Sequence, residues 1–246
     1  MRNILAVLAL VMSVGSQALA DTENLQQFLH RAEEATAVPV PLRADGELTV
    51  TTPDGSRRTA VAMIIRPTAD TYIELKDPPT KAVLLGDKDQ AYVVEKDAAK
   101  AADMALSATF ADSDFTREDL EPFRLARYKD WRISDESSGE ITVTLFPKTS
   151  QYSLVVITFD REKAMPLKTL YYKDTLNNLV KMRRDGDYVL IGRKSVPTTS
   201  SMEAFKLRTH STFTLRWTQS PSFPPELFDP AFLPRPSNLV WPMAKP

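Results

Sequence analysis

The segment FKLRTHSTFTLRW, Phe205 to Trp217, constrains the fold more than any other part of the sequence. Its odd positions, Phe205, Leu207, Thr209, Ser211, Phe213, Leu215 and Trp217, are largely apolar. Its even positions, Lys206, Arg208, His210, Thr212, Thr214 and Arg216, are polar or basic. A period of two belongs to a β-strand and to no helix. At about 3.3 Å per residue a strand of this length runs roughly 43 Å, so it is expected to curve across a sheet with many neighbours. The expected fold is therefore a large antiparallel sheet wrapped around an apolar interior.

The rest of the chain supplies partners for such a strand. Short runs rich in Val, Ile, Tyr and Thr are separated by turn sequences at hairpin spacing. In the first half they cover Glu47 to Thr52, Arg57 to Arg66, Tyr72 to Lys76, Lys81 to Leu85 and Ala91 to Glu95. The second series covers Trp131 to Asp135, Ile141 to Phe146, Gln151 to Asp160, Leu167 to Lys173, Leu179 to Arg184 and Tyr188 to Arg193. Spacing this short leaves no room for βαβ crossovers. The fold class is mainly β with some helix (α+β): a single strongly curved antiparallel sheet of about ten or eleven strands. Helices are expected at Asn24 to Ala35, from the spacing of Leu25, Phe28, Leu29, Ala32 and Ala35, and within Ala98 to Leu120. In the latter, Thr116 and Asp119 have capping-box spacing. Both helices are expected on the concave side. Eight of the 18 prolines follow Trp217, where a short helix or turn at Glu226 to Phe228 is expected to press Phe228 and Phe232 onto the sheet.

The chain opens MRNILAVLALVMSVGSQALA, with Arg2 before an apolar run and Ala18-Leu19-Ala20 at its end. This reads as a cleavable export signal, so residues 1–20 are expected to be removed and the remainder to work in the periplasm. Residues 21–233 then form one domain and 234–246 a proline-rich tail. With no cysteine, stability must come from the core and from any ligand. A net charge of −1 gives no support for nucleic acid as a partner.

Catalytic and metal signals are weak. His30 and His210 are far apart and there is no cysteine to join them in a zinc site. The acids Asp112, Asp114, Glu118 and Asp119 lack the glycine and distal glutamate of an EF-hand, and read as helix capping and solvation. Nucleophile-elbow, dinucleotide-binding and P-loop patterns do not occur. The expectation is a binding protein, not an enzyme, with no cofactor and no metal. Its candidate ligand site is a hydrophobic cavity on one strand face, lined by Val61, Met63, Ile65, Leu84, Val93, Leu154, Val156, Met182, Leu190, Phe213, Leu215 and Trp217. Plain core is the competing reading for each of them. Lys168, Lys181, Arg183, Arg184, Arg193, Lys194, Arg208 and Arg216 concentrate basic charge in the C-terminal strands. They suit anionic headgroups, an acidic partner or simple solvation.

Three further pieces carry a resemblance: Ser113-Asp114-Phe115-Thr116-Arg117-Glu118-Asp119-Leu120; Leu170-Tyr171-Tyr172-Lys173-Asp174 followed by Leu179-Val180-Lys181; and Val196-Pro197 leading to Met202 and the long strand, closed by Phe228 and Leu233. On these residues the chain resembles the periplasmic outer-membrane lipoprotein-sorting proteins related to the Lol-type lipoprotein carrier. Arg117 and Asn177-Asn178 depart from that pattern. The resemblance implies a half-open barrel with a helical lid and a cavity that accepts acyl chains of lipid or lipoprotein. It implies transport between the inner and outer membranes, with an inner-membrane transporter of the resistance-nodulation-division superfamily and an outer-membrane acceptor as partners. A periplasmic sensor or regulator built on the same lipid-binding barrel is the alternative.

Overall fold

A computed structural model describes residues 25–96, 98–192, 194–220 and 222–237. The expected signal, residues 1–20, and residues 238–246 of the expected tail lie outside them. Among the described residues no helix is long and apolar enough to cross a membrane.

Among the described residues thirteen strands form one antiparallel sheet. The first half contains β1 (Leu42–Thr52), β2 (Gly55–Ile65), β3 (Thr71–Lys76), β4 (Pro79–Leu85), β5 (Gln90–Glu95) and β6 (Ala102–Asp103). The second contains β7 (Tyr128–Glu136), β8 (Glu140–Pro147), β9 (Leu154–Asp160), β10 (Pro166–Tyr172), β11 (Leu179–Ile191), β12 (Lys194–Ala204) and β13 (Thr209–Gln219). Within each half every strand pairs with its neighbour in sequence. The halves join at a single seam, β1 against β13, where Leu42 faces Gln219 and Leu48 faces Phe213. The sheet does not close on itself, since β6 and β7 are its two edges. This is the expected curved, half-open barrel.

Several element boundaries differ from expectation. Phe205 to Trp217 is not one strand: residues 205–208 turn between β12 and β13, with Arg208 at φ 54°, and Leu207 is exposed. Ala204 pairs with Thr209, so the chain must reverse between them. The alternation is in phase from there on, and Ser211, Phe213 and Leu215 are buried. β12, which contains Pro197 and a run of Ser and Thr, was not among the expected strands. Its pairing with β13 spans only Thr199 to Ala204, so at Pro197 the strand has β11 on one side and needs no second N–H partner. The Asp185-Gly186-Asp187 run, expected to divide two strands, lies inside a continuous β11. The Ala-rich stretch after residue 97 is not helical. It places β6 beside β5, and α2 is confined to Arg117–Leu120. Alanine's helix propensity yields here to strand pairing and to burial of Met104 and Phe110.

The concave face carries the main core. Residues 25–36 form α1, which buries Leu25, Phe28, Leu29 and Ala32 against it, with the Phe28 ring edge-on to Phe159 at 5.6 Å. The segment joining β6 to β7 crosses the same face and adds Phe110 and Phe115, the latter 4.9 Å from the Phe213 ring. A second core lies on the convex side. Ile64, Tyr72, Val83, Leu85 and Val94 are covered there by Leu227, Phe228 and Leu233 from the C-terminal segment. Phe228 is thus pressed onto the sheet as expected, while Leu233, not Phe232, is the second buried anchor.

Candidate functional site

Between the concave face and the two covering segments lies a cavity of about 480 Å³. The strand register sets which residues flank one another beside it. On β1 the small residues Ala44 and Gly46 occupy the centre of the concave face, flanked by Met63 and Trp217 across from Ala44 and by Val61 and Leu215 across from Gly46. Of these, Met63, Leu215 and Trp217 line the cavity, and Ala44 and Gly46 do not. Gly46 is required by the backbone, because a Cβ there would lie 1.9 Å from the Thr214 carbonyl oxygen. Leu42, Met63, Ile65, Ile73, Phe213, Leu215 and Trp217 make an apolar wall, and Val155 and Ile157 of β9 extend it. The rim comes from residues 36–38 after α1, Pro122 and Phe123 after α2, and Pro147 to Thr149 after β8.

Of the twelve residues expected to line a cavity, Met63, Ile65, Phe213, Leu215 and Trp217 stand on its wall. Val61 and Leu84 are buried in the concave core beside it, and Val93 packs against that core. The remaining four do not reach it. Val156 and Met182 each pair with Leu170 across adjacent strands, on the outer face of the sheet, and both are half-buried. Leu154 is buried but outside the concave core. Leu190, 70% exposed, sits near the tip of the β11–β12 hairpin. Two physical reasons account for this. Leu154-Val155-Val156-Ile157 is continuously apolar, so alternation carries no phase there. On β11 the concave face is polar: Arg183, Asp185 and Tyr188 line the cavity, which inverts the assumption that the apolar positions point inward.

The segment Asp114 to Glu121, part of the lid, is held by buried charge. Asp119 accepts hydrogen bonds from the Thr116 N–H at 2.9 Å, the Tyr152 hydroxyl at 2.9 Å and Lys181 Nζ at 3.0 Å. Lys181 also donates to the Asp114 carbonyl at 2.6 Å, and the Asp114 carboxylate accepts from Ser211 Oγ at 2.7 Å and from Thr209. Arg117 donates to the carbonyls of Asp89 and Met104 and to Glu121, which Arg127 meets at 2.6 Å. Burial raises Glu121 above the ordinary glutamate value despite these two arginines. Burial also raises Glu118, against hydrogen bonds from Ser150 and the Gln151 N–H. The acidic run is therefore partly capping, as expected for Asp119, but Asp114 and Asp119 are not solvated. The basic residues of the C-terminal strands do not form one patch either. Lys181 and Arg183 point inward to the lid, Arg184 and Arg208 face solvent, and Arg193 lies outside the described residues.

A family model described as "Uncharacterized protein" matches residues 83–235. No curated protein matches the chain by sequence. Many solved structures match, three of which each align with 85% of the chain. A domain described as an outer membrane lipoprotein-sorting protein, from Vibrio parahaemolyticus, aligns over 97% of its own length with a TM-score of 0.72 and 16% identity. A LolA superfamily protein from Nitrosomonas europaea aligns over 98% of its length at 0.66 and 15%. A DUF1329 family protein from Desulfovibrio piger aligns over 98% at 0.69 and 16%. At such identities the likeness is one of fold.

Proposed function

Since the chain belongs to the family whose model spans residues 83–235 and has a Lol-type fold, we propose that it binds acyl chains of a lipid or lipoprotein and shields them during passage through the periplasm. The observation that carries this reading is the cavity of about 480 Å³, apolar on the β1–β3 and β13 side and roofed by the lid. Pockets that bury small ligands run from about 300 to 1,000 Å³. Burying a 14-carbon chain yields on the order of 10 kcal/mol gross at about 0.8 kcal/mol per methylene. Association and ordering costs reduce that to a hold firm enough for transport and loose enough for release. The chain serves as a carrier between inner and outer membranes, not as an enzyme. It receives cargo from an inner-membrane transporter of the resistance-nodulation-division superfamily and delivers it to an outer-membrane acceptor.

Leu215 tests the site. It stands on the cavity wall beside Phe213 and Trp217, so Leu215→Glu puts a carboxylate where an acyl chain would lie, at a desolvation cost of several kcal/mol for binding. Thermal unfolding and binding of a fluorescent fatty acid are measured on one sample. The expected outcome is a folded protein that has lost the probe. An unfolded variant, or a folded one that binds normally, removes this face from the ligand site.

A further inference from the structure

The cavity is not apolar all round. Three adjacent strands, β10, β11 and β12, turn Thr169, Tyr171, Arg183, Asp185 and Ser200 toward it. The register sets them side by side, with Thr169 opposite Arg183 and Asp185 opposite Ser200. Arg183 keeps 23% of its side chain accessible and Asp185 keeps 7%.

A guanidinium has five N–H donors, and each carboxylate oxygen has two lone pairs. Arg183 Nε donates to Asp185 Oδ1 at 3.0 Å, and Nη2 lies 3.0 Å from the same oxygen. Nη1 donates to the Asp119 carbonyl at 2.5 Å. At least two N–H groups of Arg183 remain. Asp185 Oδ1 also receives Ser200 Oγ, whereas Asp185 Oδ2 and the Tyr171 hydroxyl have no hydrogen-bond partner among the described residues. Burial, and then the nearby Asp119, push Tyr171 well above the ordinary tyrosine value, so its hydroxyl stays protonated. Among the described residues the buried side-chain polar atom left without a partner is Arg66 Nε, so Asp185 Oδ2 and the Tyr171 hydroxyl are open, on residues that line the cavity, and can meet a ligand there.

We propose that β10–β12 form a polar subsite for the linkage region of an amphiphile whose hydrocarbon lies on the β1–β3 and β13 wall. The group it takes presents an acceptor to Arg183 and a donor to Asp185 Oδ2, as an amide or hydroxylated linkage does and a simple ester does not. This rests on the acyl-chain reading above and narrows its ligand class.

The test uses diphenylhexatriene, a hydrocarbon fluorophore that makes no hydrogen bonds, displaced by either of two lipids of equal chain length, N-methyltetradecanamide and methyl tetradecanoate. The amide is the better hydrated of the two, so partitioning into a plain apolar cavity ranks the ester ahead. A donor to Asp185 reverses the order, and one hydrogen bond to a charged group makes the amide effective at about tenfold lower concentration. In Asp185→Asn the probe still binds and the preference disappears. Equal or ester-favouring displacement from the wild-type protein overturns the subsite, and this comparison decides even if the variant does not fold. A preference that survives in folded Asp185→Asn removes Asp185 from it. Failure of diphenylhexatriene to bind overturns the cavity reading itself and the subsite with it.

Discussion

Asp119 is closed to solvent at 0% side-chain accessibility, and its partner Lys181 retains 13%. A carboxylate so placed is tolerable only because Tyr152, Thr116 and Lys181 all donate to it. Two of these contacts, from Lys181 and Tyr152, tie the lid to β11 and to the turn before β9. Removing one partner of a buried pair strands the other charge, which costs about 3–5 kcal/mol. Asp119→Ala is therefore expected to lower unfolding free energy by that amount in urea denaturation, far more than loss of a cap at about 1 kcal/mol. The sequence identifies Asp119 as a capping partner of Thr116 from their spacing alone. Lys181 is 62 residues away, and local spacing carries no information about it.

Among the elements, β1 joins the strands that carry the two sides of the cavity wall while contributing Leu42 alone to its lining. Ala44 and Gly46 keep the centre of the concave face low, and Gly46 lets β13 approach until no Cβ fits beneath the Thr214 carbonyl. Gly46→Ala must push the two strands apart or shift their register. Overpacking of this kind costs about 1–3 kcal/mol, and it should show as a lowered urea midpoint together with weakened binding of a fluorescent fatty acid. Strand phase was readable from sequence where polar and apolar residues alternate, as in Ser211 to Trp217, and those positions are buried or line the cavity. It was not readable where the run is continuously apolar, as in Leu154 to Ile157, nor where the inner face is charged, as in β11. Pro197 disfavours a central strand, and sequence does not show that the β12–β13 pairing ends at Thr199, short of it. The Ala-rich lid concealed β6, because pairing with β5 outweighs helix propensity there.

At the scale of the whole molecule, the convex face of β2–β5 depends on a segment distant in sequence. Leu227, Phe228 and Leu233 cover Ile64, Tyr72, Val83, Leu85 and Val94, and the Arg66 guanidinium lies 3.9 Å above the Phe228 ring. At about 1.5–3 kcal/mol per buried side chain the three anchors contribute on the order of 5 kcal/mol gross. Ending the chain after Ser222 should lower the melting temperature and expose an apolar patch that drives self-association, both visible by calorimetry and size-exclusion chromatography. The seam between β1 and β13 has a different consequence. All other strand pairs are hairpin neighbours, whereas this one closes a loop of more than 150 residues and is the one non-local strand pairing among the described residues, with the largest loop-closure cost. The apolar wall straddles it, with Leu42, Met63 and Ile65 on one side and Phe213, Leu215 and Trp217 on the other. Neither half-sheet alone holds a complete pocket, so the ligand proposed above would engage only a finished barrel and, by mass action, lock the two halves together while bound.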